Sequence, residues 1–323
     1  MNRGWLCPRK SDLRQNRFGT RYRWNSAVWI TSIRSAVEGF AEGVRTNRPV
    51  GPLAGLSRVP AHARGQGMEY TATELMICCA ARELEDGKTA AIGTGLPCAA
   101  AMLAQRRHAP RLVILFEAGG VAPRLPTMPV SVGDSTTIHQ SVLATSMVDV
   151  MQFCQRGLID YTFLSGAQID PYGNLNSTFI GGTHHQPQVR LPGSGGANDL
   201  ASFCWRTLII IKHDKRKFVP KLDFLTTPGY LSGPGAREAA GLPPNTGPHR
   251  VITDLAVLDF HPFTKRMRLR SLHPGATFEK VQAATGFELE ISETLATTPP
   301  PTPEELEILR CEVDPQRYLL QRA

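Results

Sequence analysis

The 323-residue chain is 41% hydrophobic and 20% charged, a balance that suits a globular protein with a full core. It contains no apolar run of the roughly 18 residues that a membrane-spanning helix requires. The formal net charge of +8 would suit a nucleic-acid partner. However, residues 1–67 hold eleven Arg and Lys10 against only Asp12, Glu38 and Glu42, so the rest of the chain is close to neutral and offers no basic groove. The seven Cys show no C-x-x-C pair and read as buried thiols in a reducing cytoplasm.

Residues 1–67 are Arg-rich and acid-poor and lack the apolar centre of a secretory signal. We read them as upstream sequence ahead of a start at Met68, or alternatively as a disordered tail or an organellar transit peptide. Patterned sequence then begins. Thr71-Ala72-Thr73-Glu74 is a capping box that opens a helix running toward Gly87. Thr89–Ile92 reads as a strand, Gly93–Gly95 as a tight turn, and about 97–106 as a helix. Arg111–Phe116 is a continuous apolar run, the pattern of a strand buried on both faces as in parallel sheets. A Pro-rich loop follows, then a helix expected over about 138–155, and a strand over Tyr161–Ala167. The Gly-rich stretch Gly193–Asn198 and a short helix lead to a second doubly buried strand, Arg206–Lys212. Val251–Phe260 and Arg266–Leu272 read as a hairpin and Thr277–Ala284 as a helix. Thr297–Pro303 reads as a Pro/Thr linker, and Thr302-Pro303-Glu304-Glu305 caps a last helix.

Strands alternating with helices predict an α/β fold, an open layered sandwich with a mostly parallel sheet. The pattern implies one domain over 68–300 and a C-terminal helix over 301–323 that docks on it or on a partner. In such sheets ligands bind beyond the carboxyl ends of strands. Three candidates stand there: the turn at Gly93–Pro97, Glu117 before Gly119 and Gly120, and the segment holding Gln168, Asn174 and Asn176. Small neighbours would let a substrate approach Glu117, although a solvated loop carboxylate explains the pattern as well. Gly193, Gly195, Gly196 and Ala197 offer backbone N–H groups that could hold an oxyanion or phosphate, and a flexible loop explains them equally. Ser194 lies in no G-x-S-x-G elbow, and Gly93–Pro97 lacks dinucleotide spacing. His184-His185 has no accompanying metal-ligand spacing, so no metal site is expected. Lys212–Lys217 reads most simply as a solvated loop.

Several motifs occur in a fixed order: Thr94–Pro97, Phe116–Gly119, Ser131–Asp134, Gly166–Asn174, His184-His185, Gly193–Asn198, Asp223 to Gly229, Gly233–Gly235, Val251–Asp254 and Thr285–Phe287. From about residue 69 to 318 the chain resembles the β-type (B) subunits of family I coenzyme A transferases of the glutaconate CoA-transferase kind. The resemblance implies a fold shared with ribose-5-phosphate isomerase, and Glu117 as the nucleophile of the Glu-x-Gly segment. Ala118 stands where the glutaconate enzyme has Ser, which leaves the acyl substrate open.

The implied chemistry suits a carboxylate, which is a nucleophile at neutral pH without a general base. It attacks an acyl-CoA thioester to give a mixed anhydride and CoA thiolate. The thiolate then forms a glutamyl-CoA thioester and releases the first acid, and the second acid reverses the sequence. Each intermediate stays activated, so water must be kept out. Gly193, Gly195, Gly196 and Ala197 map onto the family's oxyanion and CoA-binding backbone. Gly119, Gly120, Gln168, Asn174 and Asn176 map onto the substrate pocket. Coenzyme A is then a substrate, no metal is involved, and a separate A-type subunit completes a cytoplasmic heteromer that binds neither nucleic acid nor membrane. A ring-opening acyl-CoA hydrolase subunit, or a non-catalytic subunit of the same superfamily, is the alternative.

Overall fold

A computed structural model describes residues 69–320. The Arg-rich segment and the expected start at Met68 lie outside the described residues. The capping box forms as expected: Glu74 N–H donates to Thr71 Oγ1 at 3.2 Å, Thr71 N–H donates back to Glu74 Oε2 at 2.8 Å, and helix α1 spans Ala72–Arg82. The helix stops at Glu83, earlier than Gly87. Strand β1 (Thr89–Ile92) leads through Gly95 into α2 (Leu96–Arg107), and β2 is Val113–Phe116. A tight turn then reverses the chain into the short β3 (Gly120–Val121), which pairs antiparallel with both β2 and β4 (Leu143–Ala144).

The helix expected over 138–155 begins only at Met147. Ser146 and Asp149 form a second capping box there, and α3 is Met147–Gln155. The residues before it make instead a single helical turn over Ser135–Ile138, capped by Asp134, and then β4.

Strand β5 is Tyr161–Leu164. Two small hairpins follow, β6 (Gln168–Ile169) with β7 (Leu175–Asn176), and β8 (Phe179–Gly182) with β9 (Pro187–Arg190). Helix α4 (Ala197–Phe203) runs into β10 (Arg206–Ile210), and α5 (Ala236–Ala239) precedes β11 (Pro248–Ile252). Strands β12 (Ala256–Phe260) and β13 (Met267–Leu272) form a hairpin, but the strand expected over Val251–Phe260 is broken, its first residues ending β11, which pairs antiparallel with β12; α6 is Phe278–Ala283. A strand that the sequence did not reveal, β14 (Glu290–Thr297), closes the edge; its side chains are mostly exposed, so no apolar alternation marks it. Helix α7 (Pro303–Ile308) carries a third capping box, Thr302 with Glu305.

Ten strands form one sheet in the order β14-β13-β12-β11-β10-β5-β1-β2-β3-β4. The centre, β11-β10-β5-β1-β2, is parallel, and the flanks are antiparallel except at β13–β14. The pleat sorts side chains between two layers. Ile114 and Phe116 pack with α1 and α2 on one face, whereas Val113 and Leu115 pack with Val150 and Leu200 of α3 and α4 on the other. The strand is therefore covered on both sides, as its unbroken apolar run requires.

The C-terminal segment docks on the first layer. Leu309 and Val313 enter its core, Arg82 pairs with Glu305 (1% exposed), and Arg310 pairs with Glu74 (2% exposed). Each of these carboxylates also caps its own helix, so the two ends of the described chain are clasped by groups already fixed in place. Burial raises both carboxyl pKa values. The Arg partners and the capping hydrogen bonds outweigh burial, and both groups end below the usual carboxylate range.

Candidate active site

Glu117 follows the last residue of β2. Since Leu115 faces α3 and α4 and Phe116 faces the opposite layer, strand alternation aims Glu117 toward α3 and α4. The chain turns at once: Gly119 N–H donates to Phe116 O at 2.9 Å, which places Glu117 at the bend with a half-buried side chain beside exposed Ala118. Glu117 Oε1 accepts one hydrogen bond, from Gly196 N–H at 3.1 Å. No Arg, Lys or His among the described residues pairs with this carboxylate.

Gly196 packs closely against the site. A Cβ there would lie 2.8 Å from Met151 Cε and 3.0 Å from the Glu117 carboxyl carbon, and its φ of −80° is open to any residue, so a side chain there would push Met151 and the Glu117 carboxylate aside without straining the backbone. Met151 sits on α3, whose amino end is held by Asp149. Hydrogen bonds from the Ser146 and Thr145 hydroxyls hold the Asp149 carboxyl below its ordinary pKa.

The other residues expected in the site fall into two groups. The Gly-rich loop does reach Glu117, but not all of its amides are available. Gly193 N–H donates to Ser177 O and Ala197 N–H to Ser194 O, each at 2.9 Å. Gly195 N–H has no partner among the described residues, and a Cβ at Gly195 would stand 3.7 Å from Glu117 Oε1. Of the loop's amides, Gly196 N–H thus donates to Glu117 itself, and Gly195 N–H is the one left without a partner among the described residues.

Gly119 and Gly120 do not leave space for a substrate. A Cβ on Gly119 would meet Thr145 O, and one on Gly120 would meet Thr137 O, each within about 2 Å, and both glycines are buried by those backbones. Their smallness lets β4 and the preceding turn close against the chain just past Glu117. The amides of Gln168, Asn174 and Asn176 are buried and already bonded. Gln168 donates to Asp223 and accepts from Asn176 and Asp223 N–H. Asn174 joins Asp170, Gly229 and Leu231 through four hydrogen bonds. Asn176 joins Gln168, Thr178 and Phe179. These residues form a scaffold clasp in which burial raises the Asp170 pKa.

His184 and His185 are exposed at the turn of the β8–β9 hairpin, and no cluster of three or more potential metal ligands occurs among the described residues. No helix of the described residues is long and apolar enough to cross a membrane. In the loop 212–217, Lys212, Lys215 and Arg216 are exposed and Asp214 and Lys217 half-buried, whereas His213 is 6% exposed and stacks on Phe218 with ring centroids 4.1 Å apart. Its ring nitrogens contact the Thr253 and Thr285 hydroxyls, and burial pushes its pKa down to about 4. Its hydrogen-bond partners lie 40 or more residues away in sequence, and only the stack on Phe218 is local.

Comparison with known proteins decides the family. A model of the family described as "Coenzyme A transferase" matches residues 73–284, which include Glu117 and the whole glycine-rich loop. The chain belongs to the coenzyme A transferase family. It is 37% identical over 257 residues to the B-type subunit of glutaconate CoA-transferase from Acidaminococcus fermentans, covering 78% of this chain and 96% of that protein. It is 38% identical over 242 residues to the B-type subunit of 3-oxoadipate CoA-transferase from Pseudomonas knackmussii, covering 75% and 92%. The crystal structure of the Acidaminococcus fermentans glutaconate enzyme superposes with a TM-score of 0.74, covering 78% of this chain and 98% of that one. This CoA-transferase chain therefore shares the fold of a B-type subunit, and the sheet that carries Glu117 lies within the shared region.

Proposed function

We propose that this chain is the β-type subunit of a heteromeric CoA-transferase and that Glu117 is its nucleophile. One observation carries the reading. A half-buried carboxylate with no cation partner among the described residues stands at the carboxyl end of a doubly buried parallel strand, with the Gly196 amide on it and Gly195 alongside. Glu117 attacks the acyl-CoA thioester carbonyl and the C–S bond breaks, giving the glutamyl–acyl anhydride and CoA thiolate. The thiolate attacks the glutamyl carbonyl, forms glutamyl-CoA and releases the first carboxylate. The acceptor carboxylate then runs both steps in reverse, so the group transfer balances without water or an external acid. The amides of Gly195 and Gly196 are the donors for the oxyanions of these additions. Each such donor is worth roughly 3 kcal/mol.

Water must be excluded from both intermediates, and this chain leaves Ala118 and Gly195 exposed. Met147 and Val148, on the first turn of the helix that carries Met151, are exposed large apolar side chains. Such surface beside an open site supports a covering A-type subunit. Gln168, Asn174 and Asn176 shape the wall behind the loop rather than bond the acyl group. Among acceptors, a short dicarboxylate follows from the relatives' names.

The test is acceptor dependence. With the A-type partner present, CoA should leave the acyl-CoA only as a new thioester on an added carboxylate. Steady CoA release with no carboxylate acceptor would instead support the hydrolase reading and exclude this one.

A further inference from the structure

Helix α4 follows directly on Gly196, the residue whose N–H meets Glu117. Gly196 makes no side-chain cap, and Gly193 and Gly195 before it have positive φ, so the approach is intrinsically pliable. On one side the first turn is tied to α3, where Asp199 Oδ1 accepts from Gln155 Nε2 at 3.3 Å and Asp199 O from Cys154 Sγ at 3.5 Å. On the other side the helix is held at both ends. At its amino end Asn198 Nδ2 donates to Thr226 O at 2.9 Å. At its carboxyl end stands Arg237, which is 2% exposed and has no carboxylate partner among the described residues. Arg237 Nη2 donates to Ala201 O at 3.2 Å, Ser202 O at 3.0 Å and Thr246 Oγ1 at 2.8 Å, and Nη1 donates to Gly229 O at 2.8 Å and Pro228 O at 3.3 Å.

A buried guanidinium whose hydrogen bonds go only to carbonyls and one hydroxyl is costly to keep. What it does here is join the last turn of α4 to the segment 226–229, the same segment that Asn198 grips. That segment is itself pinned, because Gly229 N–H donates to Asn174 Oδ1. The planar fork suits this bridge, since two sets of acceptors are met in fixed directions, and an ammonium group could not span both. The negative end of the helix dipole faces the cation as well.

We propose that Arg237 is a positioning residue: it sets the place of α4 along its axis, and with it the distance from Gly196 N–H to Glu117. The two ends of a seven-residue helix are only about 10 Å apart and move as one rod, so a shift at Ala201 and Ser202 reaches Gly196 undiminished. This inference rests on the reading of Glu117 as nucleophile.

The test uses the complex of this chain with its A-type partner and the substitution Arg237→Lys. The rate at which acyl-CoA makes Glu117 trappable by borohydride should fall roughly 10- to 100-fold, as displacement of catalytic groups by about 1 Å does. KM for acyl-CoA should stay within about two-fold. A variant that melts earlier yet labels Glu117 at the unmutated rate would show Arg237 to be a structural brace only, and would overturn the proposal. Should Arg237→Lys not fold, Thr246→Val removes one hydroxyl acceptor while keeping shape. It should slow labelling about three-fold at constant KM, and an unchanged rate overturns the proposal equally. Absence of label on Glu117 in the unmutated complex would overturn the reading of Glu117 itself, and so separates the two failures.

Discussion

The loops after β2 and β5 look alike in sequence and differ in what their polar side chains are free to do. Each follows a buried strand, carries polar residues beside glycine, and opens at the carboxyl end of the parallel sheet. After β5, the amides of Gln168, Asn174 and Asn176 are buried and bonded to neighbours. After β2, Glu117 accepts a single backbone hydrogen bond and pairs with no cation among the described residues. On the proposed reading of Glu117, unused bonding capacity at a strand end, rather than a polar residue at a strand end, is what separates the reacting group from scaffold.

The sharpest way to break this comparison is to exchange the two losses. Glu117→Gln in the complex with the A-type partner should lower turnover by roughly 10⁴-fold or more, with the melting temperature within about 2 °C of the unmutated protein, as measured by steady-state assay and thermal denaturation. Asn174→Ala should do the reverse. Removing the amide's four hydrogen bonds to Asp170, Gly229 and Leu231 should cost about 3 kcal/mol of stability in a urea titration, while turnover per folded molecule stays within a few-fold. Equal loss of turnover in both variants would erase the distinction between the loops.

A smaller effect is expected at Gly196→Ala, where the added methyl meets Met151 and the Glu117 carboxyl without backbone strain. Turnover should fall about 10- to 100-fold with less than about 1 kcal/mol of stability lost.

A last contrast sets the site against a buried group that it does not use. His213 is held neutral in the folded chain, with a pKa near 4 against about 6.5 unfolded. Between those values only the unfolded chain takes up the proton. Stability is therefore fully present above about pH 6.5 and falls as the pH drops toward 4, by roughly 2 kcal/mol at pH 5. Urea midpoints across that range should show the slope, and His213→Gln should flatten it.

How much of this was legible in the sequence depended on the range of the forces involved. The three capping boxes are local, and two of them, at Thr71 and Thr302, were readable directly. The third, at Ser146, was hidden within an apparently longer helical pattern. The doubly buried strands and the position of Glu117 follow from an unbroken apolar run and the residue that ends it. By contrast, Gly119 and Gly120 are glycine because backbone from Thr145 and Thr137 closes on them, and no short-range pattern encodes that approach. The hydrogen bonds of buried His213 to Thr253 and Thr285, and of buried Arg237 to Ala201 and Ser202, likewise span 35 or more residues. Strand β14 escaped notice because an exposed edge needs no apolar alternation.

The most direct test of the central claim is chemical. The complex with its A-type partner is incubated with acyl-CoA, reduced with borohydride, and its peptides are mapped by mass spectrometry. The account predicts one reduced side chain, at Glu117, that disappears in Glu117→Gln. A label on Ser194 or any other residue, or full turnover with no label at all, would contradict it.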